Sequence, residues 1–282
     1  MVEWIKELIF VTISDWIIGF IENVFNAAYE YITVLVVQPT EPGKYLTNFS
    51  EYLKLAQYLA GGLLVIFVIL AVFRQISGVM YQDNKSMGTY FIHVTVAGGL
   101  IYILPKLVTV VFLPINKALI DFIGEIGIDV SDMANPLKFI PVIAGSSLYS
   151  IMCMILGIAL IVLCIAGAIR YIETLLAILI APLAAISVIN NSDGLQIWIR
   201  EVIAIVFTQT IHFLILQIFL SIMGGVANTM LMFVLSIGTI AVGLKGPQVL
   251  RQYLYKTGTS SAMVSTVGSV GRLGMMSVMT KR

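Results

Sequence analysis

Six apolar runs dominate the chain: residues 55 to 73, 89 to 113, 141 to 169, 174 to 189, 202 to 223 and 226 to 244. Apart from Lys106, which follows Pro105 inside the second run, every formal charge lies outside these runs or at their edges. A helix rises about 1.5 Å per residue and the hydrocarbon core of a bilayer is about 30 Å thick, so about 20 such residues cross it. Separate crossings imply a helical bundle, in which each segment satisfies its own backbone polar groups. A barrel would alternate apolar and polar residues with period two, and these runs are apolar all round. Composition points the same way: 59% of the residues are hydrophobic, 11% are charged and the mean hydropathy is +1.01. The expected fold is all-α, a polytopic transmembrane helical bundle.

Before the bundle, residues 1 to 44 carry a different pattern. Glu3, Glu7, Asp15, Gly19, Glu22, Asn26 and Glu30 recur largely at steps of three or four, with Trp4, Ile5, Leu8, Trp16, Ile17, Phe20, Val24 and Phe25 between them. This spacing predicts an amphipathic helix lying along a surface, and its acidic stripe suits a protein partner better than anionic lipid. The start lacks the basic residues and small-residue cleavage site of a signal peptide, so it is expected to be retained. The segment QPTEPGK, residues 38 to 44, ends this helix with two prolines and a glycine. Residues 45 to 244 then form the membrane bundle and 245 to 282 a basic tail.

Charge orients the bundle. Residues 1 to 54 hold 3 basic and 7 acidic groups, whereas the tail holds Lys245, Arg251, Lys256, Arg272, Lys281 and Arg282 and no acidic residue. The positive-inside bias places the tail and the loop with Arg74 and Lys85 in the cytoplasm and the N-terminal region outside. Opposite ends require an odd number of crossings, so one of the six runs is expected to be incomplete. Residues 174 to 189 would give about 24 Å of helix, and Pro182 removes a backbone hydrogen bond within them. A re-entrant segment buried against protein or water fits that stretch; the competing assignment is 226 to 244.

Flanking the short run are Arg170 and Glu173 on one side and Arg200 and Glu201 on the other, separated by NNSDG, residues 190 to 194. Re-entry would return all four to one interface, where Arg170 or Glu173 is expected to pair with Glu201 or Arg200. Beyond Glu201, Thr208, Gln209, Thr210, His212 and Gln217 make one run unusually polar. At 100° per residue, Glu201, Thr208 and His212 share a face nearly opposite Thr210 and Gln217. Polar groups on two sides predict a helix surrounded by protein, because lipid offers them no partner. His212 and His93 read as packing residues before proton relays, and Cys153 and Cys164 as small core residues. The pairs Gly61 and Gly62, Gly98 and Gly99, and Gly224 and Gly225, with Gly145 to Ser147, are candidate points of close helix approach.

The motifs of catalysis are missing. The sequence holds no phosphate-binding loop, no HExxH, no Gly-x-Ser-x-Gly and no cysteine pairs at zinc spacing. No enzyme activity, cofactor or metal is expected. The spans also lack acidic side chains that would couple solute movement to ions.

The stretch from Arg170 to Gln217, RYIETLLAILIAPLAA followed by a polar turn and IWIREVIAIVFTQTIHFLILQIF, resembles the TrbL family, as do the amphipathic start and basic end. That family comprises polytopic inner-membrane channel subunits of type IV secretion and conjugation systems, and the likeness is greatest to its short Gram-positive members. The resemblance implies a non-enzymatic subunit that helps pass DNA or protein across the cytoplasmic membrane. It also implies separate ATPases and other secretion subunits as partners, homo-oligomerisation in the lipid bilayer, and transient contact with translocated DNA or protein. Arg170, Glu173, Pro182, Arg200, Glu201, Thr208, Gln209, His212 and Gln217 are the assembly candidates. A stand-alone holin-like pore and a solute permease are the rival readings.

Overall fold

The computed structural model describes residues 30–76, 87–127, 147–189, 193–225 and 228–256, with single positions between 16 and 28. Glu3, Glu7, Asp15 and Glu22 of the acidic stripe, Lys85, the turn residues 190–192, and the tail beyond 256 lie outside the described residues. So do the glycine at 145 and the side chains of Arg74 and Cys153. All regular structure among the described residues is helical. Helix α1 is helical at its described positions from Trp16 to Ile32 and closes in a π-helical turn, Thr33–Val37. There follow α2 (Phe49–Ile76), α3 (Met87–Leu107) running into a second π-turn (Val108–Phe112), α4 (Leu113–Ile126), α5 (Ser147–Ile186), α6 (Gly194–Gly225) and α7 (Thr229–Lys256).

Among the described residues, five helical stretches are long and apolar enough to cross a membrane: Phe49–Phe73, Gly88–Ile126, Met154–Ile186, Gly194–Gly225 and Met230–Tyr255. The protein is an all-α, multi-pass membrane bundle. The helices divide the chain differently from the apolar runs, however. Residues 147 to 186, which join most of the runs 141 to 169 and 174 to 189, are not a crossing and a re-entrant segment; they are one 40-residue helix, α5, that passes Arg170, Glu173 and Pro182 without a turn. The rival partial run, 226 to 244, is likewise carried largely by α7, itself a candidate crossing.

Pro182 fails to break α5 for a physical reason. A proline inside a helix deprives the carbonyl four residues earlier of its donor and crowds it. Here the crowded turn is enclosed by protein: Ile178, Ala181 and Ala185 are fully buried, and alanine offers little bulk beside the ring. Such enclosure is what lets intramembrane helices keep their prolines. The second π-turn lies between Pro105 and Pro114, and in it the Thr109 hydroxyl donates to the carbonyls of Pro105 and Lys106, both at 3.3 Å.

The chain divides into two compact units. The first comprises Met1–Thr40, Ile115–Tyr171 and Phe207–Pro247. Its core gathers Ile32, Val36, Leu160, Leu163, Phe213, Leu216, Leu220 and Ile240. Ala28, Ile32 and Val36, spaced by four, form one stripe of α1, and the Cys164 thiol donates to the Ala28 carbonyl at 3.5 Å. At the described positions Asn26, Glu30 and Tyr31 face outward. From Ala28 onward, though, the apolar side of α1 is part of a packed core, which corrects the expectation of a helix resting on a surface.

In hydrocarbon, helix association is driven by packing rather than by release of water, so contacts through small residues matter most. A Cβ on Gly167 would stand 3.3 Å from Val36 Cγ2, one on Gly243 3.1 Å from Ile215 Cγ2, and one on Gly246 2.8 Å from Ile211 Cγ2. These single glycines bring α1 onto α5 and α7 onto α6. The paired Gly61, Gly62 and the Gly99 and Gly225 members of the other pairs face open space.

The second unit comprises Glu41–Pro114, Ile172–Val206 and Gln248–Arg282. It opens with the expected turn, in which Gly43 adopts φ 100°, a left-handed conformation that glycine enters without strain. Helices α2 and α3 meet where the Tyr90 hydroxyl donates to the Phe67 carbonyl at 2.7 Å and Gly98 lies beside Leu64. Trp198 donates its indole N–H to the Ala177 carbonyl at 2.9 Å, tying α6 to α5.

Burial ranks the helices. Only 11% of the most apolar window of α2 is buried and 22% of that of α7, against 67% for α6. The helix predicted from its polar residues to be surrounded by protein is indeed the most enclosed.

Candidate functional site

The first unit holds a buried polar hub, and the end of α1 creates the need for it. The last carbonyls of a helix have no intrahelical donor. In α1 the Gln38 N–H closes the π-turn onto the Thr33 carbonyl at 2.9 Å, and Pro39, next in sequence, has no N–H to offer. The carbonyls of Leu35 and Val36 must therefore take donors from elsewhere. Arg170 of α5 donates through Nη2 to the Leu35 carbonyl at 3.0 Å. Gln209 of α6 donates through Nε2 to the carbonyls of Val36 at 3.0 Å and Gln38 at 2.7 Å.

The same two side chains join each other. Arg170 Nη1 donates to Gln209 Oε1 at 2.9 Å and to Thr40 Oγ1 at 2.7 Å. That amide oxygen also receives the Thr40 hydroxyl at 3.1 Å and Asn116 Nδ2 of α4 at 3.0 Å. Asn116 Oδ1 in turn accepts from the Thr210 hydroxyl at 2.6 Å. One glutamine thus links α1, α4, α5 and the loop after α1. Its central side chains are deeply buried, Arg170 being 3% exposed, Gln209 0%, Asn116 1% and Thr40 7%, while Thr210 is half-buried.

The electrostatics follow from position. The oxygens that receive the Arg170 guanidinium, on Leu35, Thr40 and Gln209, are neutral, and they sit at the carboxyl end of α1, where the helix dipole is negative. Gly167, one turn before Arg170 on α5, allows the approach that brings the guanidinium within reach. Thr208 and His212 are also buried on α6, and His212 sits beside the Gly243 backbone. Gln217, 5% exposed, packs against Gly127.

The second unit holds a different cluster. Arg251 of α7 forms ion pairs with Glu173 of α5 at 3.1 Å and with Glu201 of α6 at 3.2 Å. The Tyr255 hydroxyl donates to Glu201 at 2.6 Å, and the Arg200 guanidinium stands 5.7 Å from the centre of the Tyr255 ring. These ion-paired side chains are about a third exposed.

The structure therefore sorts the charges of the expected collar differently. Glu173 and Glu201 converge on Arg251, a residue counted with the tail, and Arg170 serves the hub. Pairing across a re-entrant loop had assumed two helix ends side by side, and the continuity of α5 removes that geometry. Sequence reasoning missed Thr40, Asn116, Arg251 and Tyr255. Asn116 had a usable signal: it is the polar residue on the face of α4 that also carries Leu113 and Ile120.

A multi-pass bundle with its most polar crossing helix enclosed by protein is the class these features define. Within that class, the chain belongs to the TrbL family: the family described as conjugal transfer protein TrbL matches it over residues 2–282. Comparison with curated proteins and with solved structures finds no match. Membership makes the chain a component of conjugal transfer and type IV secretion machinery.

Proposed function

We propose that the chain is a non-enzymatic channel or scaffold subunit that helps move DNA or protein across the cytoplasmic membrane. The observation that carries this reading is the family match over residues 2–282. The enclosed polar helix α6 supports it, because a helix held by polar contacts on several sides suits a fixed frame around which other subunits assemble. The basic residues from Lys245 onward favour a cytoplasmic C-terminus, and the acidic residues before the first crossing an external N-terminus. Secretion ATPases would then meet the cytoplasmic side, further copies would share the membrane, and the hub and Arg251 cluster would serve assembly.

Chemical cross-linking in cells that carry the transfer system, followed by purification of the tagged chain, tests this. Recovery of secretion subunits, including an ATPase, together with cross-linked multimers of the chain is the expected result. A chain that is recovered alone, and that conducts ions or transports solute when reconstituted without partners, would favour the stand-alone pore or permease instead.

A further inference from the structure

Helix α4 has three faces. At 100° per residue, Leu113, Asn116 and Ile120 form one side, buried against α6 through Asn116 and Gly124. Lys117, Asp121 and Glu125, each four residues apart, form a second side, and all three are exposed. Ile115, Leu119, Phe122 and Ile126 form the third, with exposures of 38% to 72%. The charged and apolar flanks lie on opposite sides of the buried one, so this helix meets two different surroundings.

Packing within the first unit sets the level of that charged flank. Gly124 lies against Phe213, and Gly127 against Gln217. Between those two α6 residues, Ile215 touches Gly243, which also meets Leu163 of α5. Glu125 therefore stands level with Leu163. At that level α5 turns Ile158, Val162 and Ile165 outward. Outward isoleucines and valine belong in hydrocarbon, and a row of outward charges does not, because an ionisable side chain at that depth faces protein or a water-filled cavity.

We propose that the Lys117, Asp121 and Glu125 flank of α4 borders an aqueous passage at bilayer depth, while the Ile115, Leu119, Phe122 and Ile126 flank borders lipid. This deepens the channel reading by naming its water-facing surface: a strip of mixed sign, with one cation and two carboxylates. A strip of this kind keeps water and polar cargo next to it without holding either sign of charge fast.

The test is thiol accessibility in cells carrying the complete transfer system. Single cysteines are placed at Lys117, Asp121, Glu125, Leu119, Phe122, Val162 and Ile165 in a chain with Cys153→Ala and Cys164→Ala. A membrane-impermeant maleimide reports water, because only a hydrated, ionised thiol reacts quickly. Positions 117, 121 and 125 are expected to label at least about tenfold faster than 119, 122, 162 and 165. Slow labelling at 117, 121 and 125 overturns the proposal. Equally fast labelling at 162 and 165 also overturns it, since the whole level would then lie outside hydrocarbon. Transfer measured in the same cells separates this outcome from the conjugation reading: normal transfer with an unlabelled α4 flank rejects the passage and leaves the family role standing.

Discussion

Arg170 is a cation placed where burial should make it costly, and its surroundings supply part of what water would have supplied. Three neutral oxygens accept its protons, and the carboxyl end of α1 adds a partial negative charge. Removing an acceptor from a buried charge is more damaging than removing a surface ion pair. Gln209→Leu is therefore expected to destabilise the chain by about 3–5 kcal/mol, read as a clear fall in melting temperature in detergent. Arg170→Lys is expected to fall between wild type and Arg170→Ala, because one ammonium cannot reproduce a planar fork that reaches Leu35, Thr40 and Gln209 together. The Arg251 cluster provides the contrast. Its pairs are about a third exposed, so Arg251→Ala should change stability by only about 0–1 kcal/mol in the same measurement. Gln209 was visible in the sequence as a polar residue for which lipid offers no partner, whereas Arg170 read as a charge paired at an interface and not as part of a buried hub. Their partners were not visible, because Thr40 and Asn116 become neighbours only after α1 and α4 dock, and no spacing along the chain encodes that docking.

Among the elements, α5 teaches the most about what a pattern can conceal. Charges at Arg170 and Glu173 and a proline at 182 read as an interruption, but each is absorbed locally. Arg170 turns into the hub, Glu173 reaches Arg251, and Pro182 sits in a turn lined by small buried residues. Because α5 is already continuous, Pro182→Ala should leave the fold and DNA transfer unchanged; a loss of transfer at normal membrane levels would restore a specific role for the broken turn. Gly167 carries the opposite expectation. Gly167→Leu would drive a side chain into Val36 and Leu35, so α1 should detach, with raised proteolysis near residues 38 to 44. Membrane character was legible from apolar run length, and the enclosure of α6 from its polar residues; where one helix ends and the next begins was not. Which glycines pack was not legible, because isolated Gly167, Gly243 and Gly246 look no different from any other glycine until a neighbouring helix is placed on them.

For the molecule as a whole, family membership makes this chain a component of a larger transfer machine. Its apolar surfaces suit lipid, its polar helix is enclosed, and its buried hub ties α1 to the crossing helices of the first unit. The most direct test is the frequency of plasmid transfer from donors that lack the gene and are complemented in trans, with membrane levels matched by immunoblot. Transfer is expected to fall to background on deletion, to return with the intact chain, and to remain well below the intact chain's frequency with Gln209→Leu. Wild-type transfer frequency from donors that lack the gene would contradict the account.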